Sequence, residues 1–241
     1  MKDNLKSFLT VKNSTLQTAD LYFYGEIVSD WWGAWDDLDQ YPEAIRDFLT
    51  EHEGKDLNIY VNSGGGSVFA GIAIYNMLLR HKGKKTVYVD GIAASIASVI
   101  ALAGDEIIIP SNAFMMIHKP TLSCSGNADD LRKTAEDLDA VETGIINIYK
   151  AHLAEGANIE TVKELVAAET WLNGEEAAKY FNITVSEAKT YAAQLAGDVM
   201  NQYRNTPKEI IKPAQAGNDN TADKTAQKIK SLVIQGISKG V

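Results

Sequence analysis

Between residues 56 and 117 the chain alternates apolar β-type runs with helical runs, a rhythm that few folds accommodate. DLNIYVN reads as a buried strand, SVFAGIAIYNMLLRHKG as a helix stopping near Gly83, and KTVYVDG as a second strand. IAASIASVIALAG then reads as a helix, DEIIIP as a short strand and AFMMIH as another. Strands of near-continuous apolar composition are covered on both faces, and the intervening helices supply the cover, so the pattern predicts an α/β core. In such a core, sites lie where strands give way to helices. Upstream, LYFYGEIV at 21–28 is a further β-type run, and PEAIRDFLTEH at 42–52 has helical spacing with Pro42 in its first turn.

The second half is helical in pattern. From Asn127 to Leu153, Leu131, Ala135, Leu138, Val141, Ile145, Ile148 and His152 recur at three- and four-residue intervals. At about 1.5 Å per residue such a helix approaches 40 Å, longer than a core of this size needs, so part of it is expected to project or to pack on another subunit. NIETVKELVAA, GEEAAKYF and VSEAKTYAAQLAGDVMNQYRN are further helical pieces. Past Asn205 the composition turns polar and proline-containing, with six lysines against three acidic residues over 206–241. The expected organisation is one domain over 1–205 and a linker with a tail over 206–241, where Ile229, Leu232, Val233 and Ile237 form a weak helical stripe.

Charge and cysteine usage narrow the partners. A formal net charge of −9 argues against a nucleic-acid backbone or an anionic membrane, both of which reward clustered Lys and Arg. The one basic cluster, RHKGKK at 80–85, reads as a solvated helix end and turn. The single cysteine, Cys124, forbids an internal disulfide and suits a reducing compartment. No secretory pattern opens the sequence, and the longest apolar run is too short to span a bilayer. The expectation is a cytoplasmic protein.

The chemistry gathers around DGIAASIASVIA at 90–101. A serine becomes a useful nucleophile when a base takes its proton, something orients that base, and backbone N–H groups await the oxyanion. Ser95 follows a strand and a glycine and falls in the first turn of the expected helix, where unpaired donors and the positive helix end stabilise negative charge. Ser98, one turn further in, is better placed to bond inside the helix, so Ser95 is favoured. Of four histidines, His52, His81 and His152 have structural or solvated readings, whereas His118 ends the apolar strand AFMMIH. In NSGGGSVFAG, Gly65 and Gly66 allow close backbone approach and can aim N–H groups into a site. The run lacks the Lys-Ser/Thr of a phosphate loop and the G-x-G-x-x-G of a dinucleotide fold. Glu169 in AAETWL is the candidate orienting acid, its other reading being a solvated helix-end carboxylate.

Taken in order, VNSGGGSVFAGIAIYN, DGIAASIAS, MMIHKP and ETWLNGEEAAKY resemble the successive signature blocks of the Clp protease proteolytic subunit family, over about residues 20–182. The resemblance implies a ClpP/crotonase-like α/β fold of stacked β-β-α units with a long protruding handle helix, and a serine endopeptidase needing no metal or organic cofactor. It makes Ser95 the nucleophile, His118 the base and Glu169 the triad acid, with Gly66 and Ile96 as oxyanion donors and Gly65 beside them. It also implies protein or peptide substrates, a homo-oligomeric ring or stacked rings, and an unfolding ATPase as a partner to consider. Three features depart from the family pattern. Gly64 stands where the family has a proline, Glu169 where it usually has Asp, and EAAKYFNIT replaces E-A-x-x-Y-G-L, so the last strand is expected to give way to a helix. With the Trp31, Trp32 and Trp35 loop, these departures are similar to the Clp-related head-maturation proteases of tailed bacteriophages, which act on capsid and scaffold proteins in the host cytoplasm or the assembling virion. Two readings compete with the peptidase: a crotonase-type enzyme binding coenzyme A, and a catalytically silent assembly protein.

Overall fold

The computed structural model of the chain describes residues 17–30, 39–188 and 203–207, all within the unit Met1–Pro207. The element order begins with β1 (Thr18–Phe23), α1 (Pro42–Glu51), β2 (Asp56–Ser63), α2 (Val68–Arg80), β3 (Lys85–Ala94), α3 (Ile96–Ala101), β4 (Glu106–Pro110) and β5 (Phe114–Ile117). It continues with α4 (Ala128–Ala151), α5 (Ile159–Ala167), β6 (Thr170–Asn173), α6 (Gly174–Ala177) and β7 (Thr184–Ser186). The chain is thus a mixed α/β protein with a largely parallel sheet, of the ClpP/crotonase-like kind. Among the described residues, no helix is long and apolar enough to cross a membrane.

The parallel strands β1, β2, β3, β4 and β7 lie side by side in that order. β3 forks the sheet: Thr86–Tyr88 pair with Glu106–Ile108 of β4, whereas Ile92–Ala94 pair with Phe114–Met116 of β5. β6 then runs antiparallel along β5. Helix α3 and strand β3 divide the run at 85–101 differently from the sequence reading. The strand extends through Ile92, Ala93 and Ala94, and the helix opens at Ile96. Periodicity cannot separate a short buried strand from a buried helix; here the pairing of β5 with Ile92–Ala94 decides it.

Helix α3 is buried along its whole length and packs behind the sheet with α2. Each large aliphatic side chain placed there contributes about 1.5–3 kcal/mol, so the element behind Ser95 is held by packing on every side. Tyr22, Tyr60 and Tyr88 occupy matching register positions on three neighbouring strands and stack ring on ring, with centroids 4.7 and 5.3 Å apart.

Helix α4 carries a capping box, Asn127 accepting from the Asp130 N–H while Asp130 accepts from the Asn127 N–H. At 24 residues it reaches about 36 Å. Its buried residues, Ile145, Ile146 and Tyr149, all lie in the last two turns, and its first half stands free of this chain's core, as its length led us to expect.

Two further expectations are corrected. Lys85, read as part of a solvated basic turn, is only 4% exposed. It opens β3, and its ammonium donates to the Gly83 carbonyl and pairs with Asp105 at 2.9 Å. The last strand does not give way to a helix at once, because Thr184–Ser186 form β7 against Ile108–Pro110. The helix expected over VSEAKTYAAQLAGDVMNQYRN is not formed at its ends, because Val185 and Ser186 belong to β7 and residues 203–205 are not helical. Residues 189–202, the Trp31, Trp32 and Trp35 loop and the tail beyond 207 lie outside the described residues.

Candidate active site

Strand register brings the chemistry together. Ala94 of β3 pairs with Met116 of β5, so Ser95, one residue on, falls beside Ile117 and one step from His118. The Ser95 N–H extends that ladder by donating to the Met116 carbonyl at 2.9 Å. Across the antiparallel pair Ile117 faces Thr170, which sets His118 at the end of β5 opposite Glu169 at the start of β6. Three residues far apart in sequence thereby share one end of three adjacent strands.

Ser95 sits at the N-cap of α3 with φ 54° and ψ −128°. Serine is a favoured N-cap because its oxygen usually accepts from the helix's first N–H groups. Here it makes no cap bond, and Oγ lies 2.7 Å from His118 Nε2. The positive φ costs of order 1–3 kcal/mol for a residue other than glycine, and it turns the hydroxyl out of the helix towards the imidazole. Ser98 behaves differently: its Oγ donates back to the Ser95 carbonyl at 2.5 Å and meets the buried Tyr149 hydroxyl at 2.8 Å. The two serines of the run therefore part as their positions suggested.

The glycine loop lies against Ser95. Gly65 and Gly66 have φ of +99° and +139°, a region that side chains resist. A Cβ on Gly65 would stand 2.7 Å from Ser95 Cβ and 2.8 Å from the Ala94 carbonyl oxygen. The loop is stitched in place by Ile27, whose N–H donates to the Gly65 carbonyl at 2.8 Å and whose carbonyl accepts from the Ser67 N–H at 2.6 Å. The Gly65 N–H already donates to Ser63 Oγ at 3.1 Å, so Gly65 supplies close approach and not a donor to the site. Ile96 opens α3, and its N–H belongs to the first turn, which has no intrahelical acceptors.

Burial holds the His118 imidazole below its ordinary value of 6.5, and the negative charge of Glu169 pulls it partly back up. A neutral ring at neutral pH is the form that can accept a proton from Ser95. Glu169 is coupled to His118 through its charge alone: among the described residues no hydrogen bond joins the two, and Glu169 Oε1 instead accepts the Asn205 N–H at 2.7 Å. Glu169 has φ 53°, and it and Ser95 are the two non-glycine residues with positive φ among those described. Strain of this kind gathers where a structure over-determines a functional geometry.

The other histidines are engaged elsewhere. His52 is buried, stacks on Phe48 and shares a hydrogen bond with its carbonyl at 2.9 Å, a more enclosed position than its polar turn implied. His81 Nε2 bonds the Lys55 carbonyl, and His152 Nε2 meets the Tyr75 hydroxyl at 2.8 Å. Cys124 is exposed.

Residues 203–207 are the part of the site that sequence reasoning missed. The Tyr203 ring meets His118 edge to face at 5.3 Å and Trp171 at 5.9 Å, and its hydroxyl donates to the Gly64 carbonyl. Nothing in MNQYRNTP marks it as a neighbour of residues 139 positions earlier in the chain.

Comparison with known proteins bears on the whole arrangement. Residues 45–183 match the family described as Clp protease. Over 130 residues the chain is 32% identical to the ATP-dependent Clp protease proteolytic subunit of Bacteroides fragilis, covering 53% of this chain and 61% of that protein. It is 34% identical over 130 residues to the subunit of the same name from Porphyromonas gingivalis, covering 57% of that protein. The match therefore spans about three fifths of the length of these curated relatives.

Proposed function

Since the chain belongs to the Clp protease family, we propose that it is a serine endopeptidase in which Ser95 Oγ attacks the scissile carbonyl carbon. His118 Nε2 takes the hydroxyl proton and returns it to the departing amine. The tetrahedral oxyanion is held by the N–H groups of Gly66 and Ile96, and water, deprotonated by the same imidazole, then hydrolyses the acyl ester. Glu169 stabilises the imidazolium through its charge and orients the ring once its carboxylate is released from the Asn205 N–H. The observation that carries this reading is the 2.7 Å contact between Ser95 Oγ and His118 Nε2, made by a serine at a strained strand-to-helix corner. No metal or organic cofactor is called on. A fluorophosphonate should label the wild-type chain at Ser95 and leave Ser95→Ala unlabelled; labelling that persists in the variant rejects the assignment. Coenzyme A should give no binding heat, and a clear isotherm would favour the crotonase-type reading instead.

The finer reading is a head-maturation protease of a tailed bacteriophage, acting on capsid or scaffold proteins as a homo-oligomeric ring. Gly64 in place of the family's proline, Glu169 in place of its aspartate, and the tryptophan-rich loop support it. A housekeeping subunit working with an unfolding ATPase is equally supported, because the relatives are named as parts of an ATP-dependent protease. Degradation of a folded protein that requires an added Clp ATPase favours the housekeeping role. Cleavage of a co-expressed capsid precursor without one favours maturation.

A further inference from the structure

We propose that residues 203–207 form an intramolecular strap that holds the catalytic centre closed and must swing away before a peptide enters. The proposal rests on the reading of Ser95 and His118 as the catalytic pair. This five-residue stretch touches the glycine loop, His118 and Glu169, which surround Ser95. At one end the Tyr203 hydroxyl donates to the Gly64 carbonyl of the glycine loop, and its ring lies against the His118 imidazole and the Trp171 indole. At the other end the Asn205 N–H occupies Glu169 Oε1 at 2.7 Å, and Asn205 Nδ2 donates to the carbonyls of Ala168 at 2.8 Å and Glu169 at 3.2 Å. Between them the chain turns, Thr206 Oγ1 reaching the Tyr203 carbonyl at 3.4 Å.

The chemistry favours a removable strap over a fixed wall. An extended peptide binds a protease by pairing its backbone with free polar groups on the strands that border the nucleophile. The strap already occupies a backbone acceptor just past the end of β2, the Gly64 carbonyl of the glycine loop. It also draws a Glu169 oxygen to a backbone N–H, while no hydrogen bond joins Glu169 to His118 among the described residues. Arg204 and Asn205 remain exposed. A closed state lowers the apparent reactivity of the open one by the fraction that is open.

The test is the rate of fluorophosphonate labelling at Ser95 in the full-length chain, read beside the thermal midpoint. Tyr203→Ala should raise the rate about tenfold, the change expected when a ring contact and a hydrogen bond that favour the closed state are lost. Asn205→Asp, which replaces the Nδ2 donor to the Ala168 and Glu169 carbonyls with a carboxylate and leaves the Tyr203 ring on His118 in place, should raise it as well. A synthetic peptide of sequence YRNTP added to Tyr203→Ala should slow labelling again. Rates equal to or below the wild-type rate in both variants, at an unchanged thermal midpoint, overturn the strap while leaving the catalytic reading intact. Labelling in none of the Ser95-containing chains overturns that reading, and the strap with it.

Discussion

Adding one methyl group at Gly65 tests whether the glycine loop sets the position of the nucleophile. In Gly65→Ala the new Cβ would stand 2.7 Å from Ser95 Cβ and 2.8 Å from the Ala94 carbonyl oxygen, on a residue with φ +99°. The backbone conformation costs about 1–3 kcal/mol and the overlap about 1–3 kcal/mol more. Against a total stability of about 5–15 kcal/mol the variant should still fold, with a thermal midpoint lower by roughly 5–20 °C. Neither obstacle is the far end of a flexible side chain, so relief comes from moving the loop and the Ser95 corner apart. Displacing a reacting atom by about 1 Å costs on the order of 10²-fold in rate. The labelling rate at Ser95, measured well below the midpoint, should fall by that factor. Gly144→Ala serves as the control: it lies in α4 with nothing within 4 Å of the added carbon, should gain about 0.5–1 kcal/mol, and should label like the wild type. A folded Gly65→Ala that labels at the wild-type rate refutes the idea that this loop presses on the nucleophile.

Ser98→Ala should keep its labelling but lose about 1–3 kcal/mol on chemical denaturation, because the fully buried Tyr149 hydroxyl loses its Ser98 partner. The acid limb of the labelling-rate profile should fall below pH 6.5, since burial lowers His118, and Glu169→Gln should move it further down by removing the charge that raises it. The same depression means that the stability His118 contributes is complete above its unfolded value and declines as pH falls towards the folded one; equal midpoints across that range would contradict it. Burial alone would raise the Asp105 carboxyl, but the hydrogen bonds and charge of Lys85 outweigh it and hold it below 3.8. Asp105→Asn should therefore cost about 1 kcal/mol at neutral pH after solvent screening, with the difference from wild type vanishing in acid as Asp105 itself protonates; a loss that persists there would assign the effect to packing.

The sequence carried the members of the site more faithfully than the geometry that joins them. His118 ends the apolar run AFMMIH, and such runs reveal strand ends well, whereas Ser95 and Glu169 read as a helix's first turn and a helix end, and the structure sets both beside strands. What makes Ser95 reach His118 is the register of β3 against β5 and a positive φ, neither of which a side-chain pattern encodes. The boundary at 94–96 was misplaced for the same reason: Ile92, Ala93 and Ala94 are small and apolar in either element, and only their pairing with Phe114–Met116 makes them a strand. Lys85 read as solvent-facing because its neighbours at 82 and 84 are lysines, yet the alternation of β3 turns its side chain inward to Asp105. Tyr203 was invisible because its partners, Gly64 and His118, are distant in sequence, and no local signal reports a contact of that span.

On the proposed reading, the corner at Ser95 places activity and folding in opposition. With φ 54° and ψ −128° it is a position that glycine would occupy without penalty. Exchanging the nucleophile for glycine would remove the hydroxyl and the strain together, so the inert chain should outlast the active one on heating. Serine is then kept at this codon against stability, and only while the proposed hydrolysis is under selection. Once selection is relaxed, such a chain should be expected to fall silent at Ser95 before it loses its fold.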